Sequence, residues 1–197
     1  MNQLSPPKKK FPRAAAIEVA REMVRALEPV CERLIIAGSL RRRKEAVGDV
    51  EVLYIPKFKT ETPEPPLDFF EAPVPIRVDL AEATLEDLVY DKVLAKRLNS
   101  LGFQTWGLKN KLALHVASGI PVDFFSTTPE AWGSYLVCRT GGAQNNIDIC
   151  TAAQRRNLKW SPYEGFIDQG GNLLLAKTEQ EVYELAGLPY REPWERE

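Results

Sequence analysis

Residues 34–54, LIIAGSLRRRKEAVGDVEVLY, hold the side chains whose types and spacing could do chemistry. An apolar run stops at Gly38-Ser39, four cations follow from Arg41 to Lys44, and the chain returns through Gly48 to Asp49-Val50-Glu51 inside a second apolar run. Carboxylates two residues apart on a strand point to the same face. Buried together they are costly unless protonated, hydrogen-bonded or bound to a metal. Hard oxygen ligands select Mg²⁺ or Mn²⁺, and Mg²⁺ is typically held by one or two carboxylates plus substrate phosphates. Ser39 and the arginine block lie where such phosphates would sit. In two-metal phosphoryl and nucleotidyl transfer, ions about 3.5–4 Å apart clamp the attacking and leaving oxygens. A third carboxylate would complete the site. Asp79 and Asp123, each in an apolar strand-like run, are the two candidates.

The elements that must position these groups can be read in order. Residues 1–13 form a basic arm with Lys8, Lys9, Lys10 and Arg13, either a solvated tail or a contact to phosphates. Ala16, Ile17, Ala20, Met23, Val24 and Leu27 recur at helical spacing and predict a helix over 14–27, ended at Pro29. Leu34 to Ala37 is the first strand. In the next, Val50, Val52 and Tyr54 alternate with Asp49, Glu51 and Leu53, giving one apolar face and one face with the carboxylates. Residues 56–75 are dense in proline and read as an excursion, not a core strand. The stretch 60–91 is acidic, with Arg77 its one cation, so it belongs away from a nucleic-acid track. Ile76 to Leu80 is a short strand. Thr84 is expected to cap a helix running to about Ser100, with Gly102 as its stop.

Lys111 to Val116 and Ile120 to Phe125 are strand-like runs joined at Ala117-Ser118-Gly119. Thr128-Pro129-Glu130 is expected to open a helix. A polar helix follows from near Gln144 to near Asn157. Phe166-Ile167 and Leu173 to Leu175 flank a small hairpin, and Thr178 with Glu181 makes a capping box for a last helix ending at Gly187. His115 reads as a packed or hydrogen-bonded histidine. Trp106, Trp132 and Trp160 read as packing residues.

Bulk properties narrow the class. A chain of 197 residues with 44% hydrophobic residues suits one domain with a small lobe. The net charge of −1 means that any nucleic-acid binding must use local patches, for which Lys109, Lys111 and Arg155 are candidates. Cys31, Cys138 and Cys150 have no CxxC spacing and read as free thiols of a reducing compartment. No apolar stretch approaches 20 residues and no signal-peptide pattern is seen, so a cytoplasmic, soluble monomer without membrane partners is expected.

The motifs resemble those of the DNA polymerase X family, the group that includes DNA polymerase beta, within the nucleotidyltransferase superfamily. Gly38-Ser39-Leu40-Arg41-Arg42 followed by Gly48-Asp49-Val50-Glu51-Val52-Leu53 looks like the family's GS-x-RR…GD-x-D-x-L signature. Pro121-Val122-Asp123 looks like the strand with the third metal ligand, Thr140-Gly141 like its TG turn, and Tyr190-Arg191-Glu192-Pro193 like its C-terminal ending. The resemblance spans about 10–57 and 108–197.

The resemblance implies an α+β nucleotidyltransferase fold of polymerase beta type: a mixed-sheet palm flanked by helices over 14–135, with 56–105 as insertion and helix, and a small α+β lobe over 136–197. It implies that Asp49, Glu51 and Asp123 are catalytic and bind two Mg²⁺ or Mn²⁺ ions. Gly38, Ser39, Arg42, Gly48 and Lys10 would serve the triphosphate, and Gly141 and Asn146 the sugar and base. Asp79 then becomes structural or surface, and Arg41, Arg43 and Lys44 ordinary surface charges. The implied activity is addition of nucleoside monophosphates from dNTPs to a DNA 3′-hydroxyl, with release of pyrophosphate, on gapped or primer–template DNA in repair, by a minimal polymerase. The rivals are transfer to a small molecule, protein or tRNA, and a non-catalytic DNA-end-binding module. Three positions depart from the pattern: Glu51 replaces an aspartate, Cys138-Arg139 replaces an aromatic pair beside the sugar pocket, and Pro121 replaces a basic residue two before Asp123.

Overall fold

In the computed structural model, residues 9–62 and 74–197 are described. Strand β1 (Phe11–Pro12) leads into α1 (Arg13–Leu27), which buries Ala16, Val19, Ala20, Met23 and Leu27 along one stripe. The next elements are β2 (Cys31–Ile36), α2 (Gly38–Arg41), β3 (Ala46–Val47) and β4 (Val50–Pro56). They are followed by β5 (Phe58–Glu61), β6 (Ile76–Asp79), α3 (Leu80–Tyr90), β7 (Leu94–Lys96), β8 (Asn110–His115) and β9 (Ile120–Ser126). The C-terminal part contains α4 (Trp132–Thr140), α5 (Ala143–Arg155), β10 (Lys159–Ser161), β11 (Gly165–Ile167), β12 (Leu173–Leu174) and α6 (Glu179–Ala186). The fold is mixed α+β.

Five strands form the central sheet in the order β2-β4-β9-β8-β7. The β4–β9 pair is parallel and the other three pairs are antiparallel. Both central strands are covered on two faces. On one face Val52, Tyr54, Val122 and Phe124 pack with Met23 of α1 and Leu85 of α3. On the other, Leu53, Ile55 and Phe125 pack with Trp132, Tyr135 and Leu136 of α4. The expected single apolar face of β4 is therefore corrected: Leu53 is as buried as Val52. A separate core in the C-terminal lobe joins Val137, Ile149, Ala153, Phe166, Val182 and Tyr183. Helix α4 contributes to both cores, with Leu136 toward the sheet and Val137 toward the lobe.

Several boundaries differ from those read in the sequence. Helix α3 starts at Leu80, capped by Asp79, whose Oδ1 accepts from the Glu82 N–H at 2.9 Å. Thr84 lies inside the helix and donates its hydroxyl to the Leu80 carbonyl. The helix ends at Tyr90, where Lys92 turns with φ +61°, and 94–96 instead form β7 against β8. The proline-dense excursion contains β5, paired antiparallel with β6; the rest of it, 63–73, lies outside the described residues. Helix α4 begins at Trp132, later than Pro129 suggested. The capping box at Thr178 and Glu181 and the left-handed stop at Gly187 are as expected.

The arginine block ties the sheet to the lobe. Arg41 forks onto Glu179 with bonds of 2.7 and 2.6 Å, and donates to the Thr140 hydroxyl at 2.8 Å. Arg196, wholly buried, donates to the same carboxylate. Arg43 stacks on Trp194 with 4.0 Å to the ring centroid, and Lys44 pairs with Glu197. Arg41, Arg43 and Lys44 are thus not ordinary surface charges.

Burial alone would raise the Glu179 carboxyl, but the bonds from Arg41 and Arg196 outweigh it and hold the group below its usual range. Glu179→Ala leaves two arginines unpaired, one of them fully buried, and should cost about 3 kcal/mol in urea unfolding. A loss under about 1 kcal/mol would mean that the network is not stabilising. A lowered folded value means that this contribution is complete above about pH 4.3 and is lost as pH falls through it. The difference between wild type and variant should therefore shrink in acid.

Candidate active site

The parallel register sets Glu51 directly opposite Asp123, so the two carboxylates share one face of the sheet. It is the face that carries Leu53, Phe125 and α4. Asp49 sits half-buried just before β4. Asp79, the other candidate for a third carboxylate, caps α3. Of the sequence-read set, Asp49, Glu51 and Asp123 are thus brought to one end of one sheet face.

The turn between β2 and β4 lies against them. Gly38 opens α2 with φ +63°, and a Cβ there would overlap the Glu51 carboxylate. Glycine is needed at this position for its conformation; the space is filled by the end of the Glu51 side chain. Ser39 Oγ and Arg42 Nε are buried without hydrogen-bond partners. Arg42 Nη1 donates to the Thr140 carbonyl at 2.6 Å, which joins the turn to the end of α4. Gly48 has open space around its Cα. Gly141 ends α4, and a Cβ there would press on the side-chain amides of Asn145 and Asn146. Asn146 donates to the Cys138 carbonyl at 2.9 Å, and its Oδ1 is buried and unpartnered. Orphaned polar atoms on Ser39, Arg42 and Asn146 therefore line the ground between turn and lobe, as a site for a polar ligand requires.

Other expected residues separate. Lys10, Lys109 and Arg155 are exposed. Lys111 is 2% exposed; its ammonium donates to the Gly107 carbonyl at 2.9 Å and pairs with Glu82 at 3.3 Å. It presents no free cation to a DNA strand, which corrects its reading as a DNA contact. His115 bonds Ser118 and faces Glu22, as a packed histidine should. The three cysteines are free.

Two arginines given no role in the sequence reading enter the site: Arg97, which it did not single out, and Arg139, which it noted only as part of a replaced aromatic pair beside the sugar pocket. Arg97, from the end of β7, pairs with Asp123 Oδ1 at 2.5 Å. Arg139 stacks its guanidinium on Phe125, 3.8 Å from the ring centroid, with its Nε buried and unpartnered. Burial pushes the Glu51 carboxyl up to about 8; the Asp49 charge adds to the rise and Arg139 opposes it. Burial also raises Asp123, against the pull of Arg97.

The donors are all oxygen, and the buried Glu51 carboxyl has no directly bonded cation among the described residues to favour its ionised form. A hard divalent ion suits that set, and Asp49, Glu51 and Asp123 could hold it. The shell is not preformed: among the described residues no three Asp, Glu, His or Cys side chains close into a metal-holding group. The long Glu51 side chain lies back against Gly38 instead.

Residues 135–197 match the family model described as DNA polymerase beta thumb. Over the whole chain the fold is similar to that of polymerase beta from Leishmania infantum, solved as a ternary P/T complex. The two superpose with a TM-score of 0.72 at 17% identity, covering 96% of this chain and 77% of that one. The chain therefore shares the polymerase beta fold. No curated protein matches it. The thumb match begins within α4, the helix that contributes to both cores, so the lobe carrying Gly141 and Asn146 is the part similar to a polymerase beta thumb. No helix among the described residues is long and apolar enough to cross a membrane.

An acid whose folded value is raised contributes best when protonated in both states. Stability of the metal-free protein should then fall as pH rises from about 4.3 toward the Glu51 value near 8, and level off above it. Glu51→Gln removes this dependence. Its melting temperature in the presence of a chelator should gain on wild type between pH 5 and pH 8. A gap that does not change with pH would contradict the buried-carboxyl reading.

Proposed function

We propose that the chain is a divalent-metal-dependent nucleotidyltransferase that extends a DNA 3′-hydroxyl with nucleoside monophosphates from dNTPs and releases pyrophosphate, on gapped or primer–template DNA in repair. The observation that carries this reading is the Glu51–Asp123 pairing across parallel strands, with the Gly38-Ser39 turn and Arg42 packed against it. The thumb match supports DNA as acceptor over a small molecule, protein or tRNA.

In this reading Asp49, Glu51 and Asp123 hold Mg²⁺ or Mn²⁺, two ions in all. When bound, the metal polarises the reacting oxygens and offsets charge on the phosphates. Ser39, Arg42 and the Gly48 backbone receive the β- and γ-phosphates, and exposed Lys10 adds a further cation. The unpartnered Ser39 Oγ and Arg42 Nε are the atoms available for that role. Gly141 and Asn146 contact sugar and base, with Asn146 Oδ1 as the free acceptor. Exposed Lys109 and Arg155 meet DNA phosphates, whose binding should weaken with salt. Placement in the cytoplasm as a monomer completes the proposal.

Primer extension on gapped, recessed and single-stranded DNA, with deoxy- and ribonucleotides in Mg²⁺ and in Mn²⁺, tests it. Asp49→Asn should lower incorporation by roughly a hundredfold or more, because several kcal/mol of charge stabilisation depends on the metal. Circular dichroism should show the fold unchanged. Full activity in that variant, or labelling of tRNA or protein but not DNA, would sink the proposal.

A further inference from the structure

Four residues lie in one row across the central sheet. Glu51 of β4 pairs with Asp123 of β9, Asp123 pairs with Leu112 of β8, and the Arg97 N–H beyond β7 donates to the Leu112 carbonyl at 3.0 Å. Arg97 and Asp123 are therefore separated by one intervening strand, about 10 Å by strand spacing. The Arg97 side chain crosses Leu112 and ends on Asp123 Oδ1 at 2.5 Å.

Three observations set this contact apart from an ordinary edge ion pair. Arg97 follows an edge strand, yet its side chain is only about a quarter exposed, at 28%. Its Nε is buried without a partner, a cost the side chain would avoid by turning outward. Its bond uses one Asp123 oxygen, and no hydrogen bond among the described residues uses Oδ2. The local sequence cannot supply this cation itself: Pro121, two residues before Asp123, carries no donor.

We propose that Arg97 is a positioning residue for Asp123, holding Oδ1 so that Oδ2 is presented as the ligand atom to a divalent ion. This rests on reading Asp49, Glu51 and Asp123 as the metal-holding set. Partners that hold a ligating carboxylate from behind are worth about 10–100-fold in metal affinity or activity. Arg97 would do this from beyond an edge strand far from the motif, where Pro121 offers no donor of its own.

Direct Mn²⁺ binding to the full chain, followed by the electron paramagnetic resonance signal of free Mn²⁺, separates this from a stabilising role. Arg97→Gln should weaken Mn²⁺ binding by about 10–100-fold. It should lower kcat to a similar degree, with KM for the dNTP changed less than about threefold. Arg97→Lys should recover most of the loss, since one charge-assisted bond is at stake rather than a fork. Arg97→Met, of similar reach and easily buried, replaces the glutamine variant if that fails to fold. Unchanged Mn²⁺ affinity with a lowered melting temperature would make Arg97 merely structural and overturn the inference. Tighter Mn²⁺ binding would make it a competitor of the metal and overturn it equally. If wild type and Asp49→Asn bind Mn²⁺ equally or not at all, the metal-site reading falls first and takes this inference with it. If Asp49→Asn loses binding and Arg97→Gln does not, only the role of Arg97 falls.

Discussion

Everything at the site depends on the parallel pairing of β4 with β9. It sets Glu51 beside Asp123 and leaves Val52 and Phe124 on the opposite face. A parallel pair cannot be closed by a tight turn, so the chain between them must cross over. Here the crossover is built from β5, β6, α3, β7 and β8. A slip of one residue would carry a carboxylate into the core with Met23 and Leu85. Burial on both faces, Val50 to Ile55 on one strand and Val122 to Phe125 on the other, makes that slip prohibitive. The same apolar packing that stabilises the sheet therefore fixes where the acids stand.

Much of this was legible in the sequence, for physical reasons that can be named. The α1 stripe, the β8–β9 hairpin, the α5 helix and the capping box of α6 are local patterns, each complete within a dozen or so residues. So is the Gly38-Ser39 turn, where glycine is required by conformation. What failed was non-local. Thr84 and Asp79 both fit a helix start, and Asp79 wins because β6 ends there, paired with β5. The run 94–96 has no alternation of its own and becomes a strand only because β8 offers an edge. Lys111 looked like a DNA contact, yet its neighbours in the sheet turn it inward. Arg97 carries no local signal at all; only the register of three strands, β7, β8 and β9, brings it to Asp123.

The cations divide differently from their order in the chain. Four successive basic residues were expected to supply one ligand and three surface charges. Three of them instead hold the C-terminal lobe: Arg41 on Glu179, Arg43 on Trp194 and Lys44 on Glu197. Arg139, at a position where the resembled family carries an aromatic residue, lies flat on Phe125 beside the carboxylates. It is one of the charges that restrain the rise of the Glu51 carboxyl.

The Arg42 guanidinium has one further consequence. It closes the last turn of α4 by satisfying the Thr140 carbonyl, a group that a helix C-terminus otherwise leaves to solvent. Its Nε stays buried without a partner, as does Ser39 Oγ in the turn. One guanidinium thus spans both places, with Nη1 spent on the α4 terminus and Nε directed elsewhere. On the proposed function, occupancy of the turn and docking of the lobe would be linked equilibria, and linkage is reciprocal: whatever free energy a bound phosphate adds to or takes from lobe docking, docking adds to or takes from its affinity. Arg42 shares that connection with Arg41, Arg43 and Lys44, so the whole basic block is the hinge pin between turn and lobe.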